Sequence, residues 1–132
     1  MRAYRLDRIR GRLVAKNGVH LLDGDTVTVD GVSFGGVGEI IGDPKKPGRR
    51  SEGDFLAALD LVVEQSPEVI VLHMGPNAED GQRGSREVRT SLARAQGLVV
   101  CGHTHWKSPL AALTPALQVL NVDARAVVLR AK

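Results

Sequence analysis

The chain has 132 residues, enough for one domain with a buried core, and its 42% hydrophobic and 25% charged residues are the mix of an ordinary soluble globular protein. Aromatics make up only 3%, so the core must be built from Val, Leu, Ile and Ala, which favours an α/β arrangement with buried, Val-rich strands. No run of about 18 apolar residues exists, which excludes a membrane-spanning helix, while the net charge of +3 leaves phosphate-bearing partners open.

Residues 1–16 carry Arg2, Arg5, Arg8, Arg10, Arg12 and Lys16 against Asp7 alone, and Leu6, Ile9 and Leu13 recur at helical spacing. A short basic helix is expected over 4–16. It has no apolar stretch of the kind a secretory signal needs. Strands are expected at 19–22, 25–29 and 31–37, with Asp30-Gly31 as the hairpin turn between the last two. The Pro/Gly-rich stretch 42–50 is expected to be a loop. It holds a second basic cluster, Lys45, Lys46, Arg49 and Arg50. Tyr4 is the one aromatic within the first cluster and the second has none, so a nucleic-acid partner is not supported.

Ser51 with Asp54 three residues on is a capping-box-like start, and Phe55, Leu59, Val62 and Val63 form the apolar face of the helix that follows. A short strand with the apolar run Val69–Leu72, expected over 68–73, ends on His73. After a polar loop, a second helix is expected near 85–96, with Val88, Leu92 and Ala95 on one face. A buried strand at 97–101 leads into Gly102-His103-Thr104-His105, and strands at 117–122 and 126–130 close the chain. The alternation of strands and helices is that of a parallel α/β layer, in which ligands sit beyond the carboxyl ends of the strands.

His73 and the 102–105 segment both fall at such ends. In an extended segment residues i and i+2 point the same way, so His103 and His105 are expected to face one pocket, with Gly102 allowing a tight turn ahead of them. The strand ending on His73 is expected to lie beside 97–101. Three imidazoles would then converge at one sheet edge, and imidazole suits a divalent transition metal such as Mn, Fe, Zn or Ni. His20 precedes a hairpin with no partner and is read as an ordinary histidine. Cys101, the single cysteine, cannot form an internal disulfide, which points to a reducing, cytoplasmic setting. It closes an apolar strand and is read as core, against the alternative of a structural metal site with His103 and His105.

The segment GLVVCGHTHW resembles the last signature of the calcineurin-like metallophosphoesterases, Gly-His-x-His after a buried strand. VIVLHMGP upstream is similar to that family's preceding histidine motif. LQVLNVDARAVVL and LLDGDTVTVDGVSFGGVGE resemble its closing strands and the hairpin after its third motif, so the resemblance covers nearly all of 19–130. It implies that His73 and His103 bind the second metal of a dinuclear centre and His105 the first, with Asn77 and Arg83 near the opening as substrate contacts. It implies hydrolysis of phosphate mono- or diesters by a metal-activated hydroxide.

The family's other ligand motifs are missing. Gly24-Asp25 is followed by Thr28 where Gly-Asp-x-x-Asp requires Asp, and Gly42-Asp43 by Lys46; Asn17-Gly18-Val19-His20 is not Gly-Asn-His; no Asp-x-His occurs in the sequence. Carboxylates are needed to offset and bridge two divalent ions. The histidines alone would hold at most one ion, and the missing ligands would have to come from another polypeptide. The expected fold is therefore α/β, a partial metallophosphoesterase sandwich of mixed sheets flanked by helices that lacks the N-terminal strand–helix units. It is expected as one domain over 1–132, its open face or edge covered by a partner chain or a second copy. The contrasting expectation is a catalytically inactive binding or regulatory module of the same fold.

Overall fold

The computed structural model describes residues 18–78 and 82–123. The helix expected over 4–16 and the strand expected over 126–130 lie outside them. Ten elements are described in chain order: β1 (Asp25–Val29), β2 (Val32–Val37), β3 (Ile40–Ile41), β4 (Arg49–Arg50), α1 (Glu52–Glu64), β5 (Val69–Met74), α2 (Arg86–Leu92), β6 (Gly97–Gly102), β7 (Leu110–Thr114) and β8 (Leu117–Asn121). They form a mixed six-stranded sheet of order β1-β2-β5-β6-β8-β7, with β3 and β4 as a two-stranded parallel pair beside it. The four central strands, β2, β5, β6 and β8, are mutually parallel, and the edge strands β1 and β7 run antiparallel to their neighbours.

The β1–β2 hairpin turns on Asp30 and Gly31, at φ 50° and 81°. Positive φ at both central residues is what a two-residue turn matched to the strand twist requires, and Asp-Gly supplies it at little steric cost. Segment 19–22, expected as a strand, is irregular. Its apolar residues serve as a cover instead: Leu22 lies against Gly36 of β2.

Ser51 caps α1, its hydroxyl accepting the Asp54 N–H at 3.2 Å. The helix buries Phe55, Ala58, Leu59, Val62 and Val63, the stripe that its spacing indicated. It ends where Ser66 takes a left-handed conformation, φ 52°, ahead of Pro67, which cannot continue a helix. Ser85 caps α2 by accepting the Val88 N–H at 3.1 Å. That helix is shorter than the expected 85–96, although Ala95 is buried beyond its end.

Both helices lie on one face of the sheet. Their apolar stripes meet Ile70 and Leu72 of β5, Val99 and Cys101 of β6, and Leu117 and Val119 of β8 in a single core. The alternate residues point the other way. Val71, Val100, Leu120 and Leu110 stand in register across four adjacent strands on that second face. Among the described residues no helix covers it, and Val71 stays 43% exposed and Leu110 39%. No helix among the described residues is long and apolar enough to cross a membrane.

Candidate metal and phosphate site

The four parallel strands all end on one edge, and the chemistry-bearing side chains collect there. β5 ends on His73-Met74, β6 on Gly102 just before His103, and β8 on Asn121 just before Val122-Asp123. β5 pairs in parallel with β6, as the sequence indicated, and Met74 stands opposite Gly102. His73 and His103 are thereby brought together, their ring centroids 5.1 Å apart and their planes tilted by 58°. Both line a cleft of about 560 Å³ at the rim of the uncovered face, with Val71, Val100, Val122 and Asp123.

The segment after β6 is not extended. His103 has φ 70°, and the Thr104 N–H donates to Gly102 O at 2.9 Å, closing a three-residue turn. The left-handed residue is His103 itself and not Gly102, where an added Cβ would meet only Asp123 backbone atoms at 3.7 Å. This turn rotates His105 away from the direction that alternation along a strand would give it. His105 is 85% exposed and its Nδ1 contacts Asp123 Oδ2, on a carboxylate side chain that is 9% exposed. That oxygen is a buried acceptor with no other partner, so the contact satisfies it only when His105 carries a proton on Nδ1; the tautomer is assigned on that ground.

Two buried groups hold the turn. Asn121, fully buried, donates from Nδ2 to Thr104 O at 3.0 Å and from its backbone N–H to Pro109 O at 2.7 Å. Its Oδ1 accepts nothing. Trp106, also buried, donates from Nε1 to Arg83 O at 2.6 Å, and the Thr104 hydroxyl donates to the same carbonyl at 2.9 Å. Arg83 thus contributes its backbone carbonyl to the site's scaffold while its side chain is carried on an exposed residue. Asn77 donates its N–H to Ser85 O at 3.3 Å, and its side-chain Oδ1 is buried without a hydrogen-bond partner. Gly75 packs directly against Cys101, where any side chain would overlap the Cys101 Sγ.

Cys101 is buried, and desolvation pushes its thiol up to about 12. It stays protonated near neutral pH in this environment and sits in the core. In the basic loop, Arg50 pairs with Asp23 at 2.7 Å, and Asp23 also accepts the Gly38 N–H at 3.2 Å. That arginine serves to fasten the loop, whereas Lys45 and Lys46 are exposed. His20 is exposed.

A dinuclear centre needs bridging carboxylates. Among the described residues no group of three or more His, Cys, Asp or Glu side chains is gathered closely enough to hold a metal ion. The structure therefore assembles a pair, His73 with His103, and a second pair, His105 with Asp123, on the same edge. The donor set fits part of a metal site and does not fit a complete two-metal one. Sequence reasoning missed Asp123, Asn121 and Trp106. Asp123 could have been found by applying the strand-end rule to β8 as well as to β5 and β6. No protein-family model, curated protein or solved structure matches this chain.

Proposed function

We propose that this chain carries the histidine-bearing part of a metal-dependent phosphoesterase of the calcineurin-like kind, acting on phosphate mono- or diesters once carboxylate ligands from outside the described residues complete the site. The observation that carries the reading is the meeting of His73 and His103 at the carboxyl ends of adjacent parallel strands. Two imidazoles 5.1 Å apart at the rim of an open cleft suit a shared divalent ion such as Mn, Fe, Zn or Ni better than they suit a core. The backbone strain at His103 points the same way, because a non-glycine residue at φ 70° is retained against a cost of about 1–3 kcal/mol. The uncovered sheet face supports the expectation of a further layer, supplied by a partner chain or a second copy.

His73 and His103 would hold one ion, and His105 would join a neighbouring one. A bound metal would supply a nucleophilic hydroxide and charge stabilisation at phosphorus. The chain's own residues do the placing: Asn121 and Trp106 fix the 102–106 turn, and the β5–β6 pairing sets the distance between the two rings. Asn77, which the resemblance places near the opening, would have to meet a phosphate ester through its Nδ2 donor, since its buried Oδ1 can only accept. A catalytically inactive binding module of the same fold is favoured by one observation, the lack of a gathered ligand group among the described residues.

The two readings separate in a hydrolysis assay with bis(p-nitrophenyl) phosphate and Mn²⁺. The chain alone is expected to be inactive. Turnover is expected to appear on co-expression with a polypeptide bearing Asp-x-His, Gly-Asp-x-x-Asp and Gly-Asn-His motifs, and to be lost on His103→Ala. Turnover by the chain alone that disappears on His105→Ala contradicts the incompleteness of the site. Metal binding without turnover under any complementation favours the binding module.

A further inference from the structure

We propose that Asp123 is the positioning carboxylate of this site: it holds His105 by Nδ1 and so presents Nε2 outward as a divalent-metal ligand. The inference rests on the metal reading above and adds a residue that neither the sequence pattern nor the resemblance assigns. Three observations carry it. Asp123 Oδ2 is buried and has His105 Nδ1 as its polar contact, while the His105 ring is otherwise open to solvent. Asp123 lines the same cleft as His73 and His103, so the carboxylate end of the pair borders that cleft. Its backbone is fixed there, since the Val122 N–H donates to Cys101 O at 2.9 Å and Gly102 packs against the Asp123 Cα.

The chemistry follows from the two ring nitrogens. A histidine that ligates through one nitrogen commonly donates its other N–H to a carboxylate, which fixes the tautomer, orients the ring and raises the basicity of the ligating nitrogen. With Nδ1–H committed to Asp123, the lone pair is left on Nε2. A carboxylate buried to this degree without a donor would be costly, so its retention at the strand end is accounted for by the imidazole it holds. Asp123 touches no substrate in this account and acts only through His105.

Two measurements on the full chain test the proposal. The first is long-range ¹H–¹⁵N NMR of the imidazoles without metal. His105 is expected as the Nδ1–H tautomer in the wild type, and Asp123→Asn shifts it toward Nε2–H while Asp123→Glu restores it. The second is Co²⁺ titration by visible absorption against a competing chelator. Asp123→Asn is expected to weaken binding about 10–100-fold, His105→Ala at least as much, and the double variant no more than His105→Ala. An Nε2–H tautomer in the wild type overturns the proposal, and this reading stands even if the Asn variant fails to fold. A further loss from Asp123→Asn in the His105→Ala background also overturns it, because Asp123 would then ligate directly. Loss of Co²⁺ binding in His73→Ala and His103→Ala with none in Asp123→Asn or His105→Ala overturns this role and spares the metal reading. A wild-type chain that binds no Co²⁺ overturns both.

Discussion

Asn121 offers the sharpest test of how the histidine turn is held. It is fully buried, it anchors Thr104 O through Nδ2 at 3.0 Å, and its Oδ1 has no donor. Asn121→Ala removes the hydrogen bond to Thr104 O and leaves a small cavity at a fully buried position, offset in part by removal of the unsatisfied oxygen, so the net cost is expected to be about 1–3 kcal/mol. Asn121→Asp is nearly isosteric but replaces the only donating group with a carboxylate oxygen aimed at a carbonyl. Burial of this kind raises a carboxyl by about 3–5 pKa units, and at about 1.4 kcal/mol per unit the ionised variant loses roughly 4–7 kcal/mol. That is comparable with the whole stability of a domain, about 5–15 kcal/mol. The sign is fixed by the raised folded value. The protonated Asp is tolerated below about pH 3.9, and stability falls as pH rises from there through the folded pKa, then stays low. Urea denaturation followed by far-UV circular dichroism between pH 4 and 8 measures both variants. Equal stability of the Ala and Asp variants at pH 8 would refute the burial and bonding assigned to Asn121.

Other perturbations follow from the same structure. Cys101 is expected to be inert to a thiol reagent at pH 8 in the folded chain and to react on unfolding in urea; its stabilising contribution is intact below about pH 9 and is lost as pH climbs toward about 12. Gly75→Ala drives a methyl into Cys101 and is expected to cost about 1–3 kcal/mol in urea denaturation, whereas Gly53→Ala, with open space around it, costs nothing or stabilises. Ser51→Ala and Ser85→Ala each remove a capping acceptor and are expected to cost about 1 kcal/mol. Val71→Lys places a charge on the uncovered face and is expected to reduce self-association of the isolated chain in sedimentation velocity, without lowering its stability by more than about 0.5 kcal/mol.

What was legible in the sequence was whatever local chemistry decides. The Asp30-Gly31 turn, the Ser51 cap, the Phe55–Val63 stripe and the apolar strands at 69–74 and 97–102 all fall where their own residues require. The elements that depend on distant partners were hidden. β7 has a mixed, half-exposed pattern and is a strand because β8 offers an antiparallel edge. Segment 19–22 has strand-forming residues but pairs with no strand among the described residues, and its Leu22 lies against Gly36. At the site, strand-end placement of His73 and His103 was readable because it follows from sheet order. The direction of His105 was not, because one left-handed residue, His103, breaks the alternation on which that expectation rested. Asp123 lies 18 residues from His105 in sequence, and only the parallel pairing of β6 with β8 brings the two together.

The central claim is that His73 and His103 form a metal-binding pair. Anomalous diffraction from crystals soaked in Zn²⁺ or Mn²⁺ tests it directly. The account predicts a peak between the two imidazoles, about 2.1 Å from a nitrogen of each, that vanishes in His73→Ala. A peak elsewhere on the chain, or none at saturating metal, would contradict it.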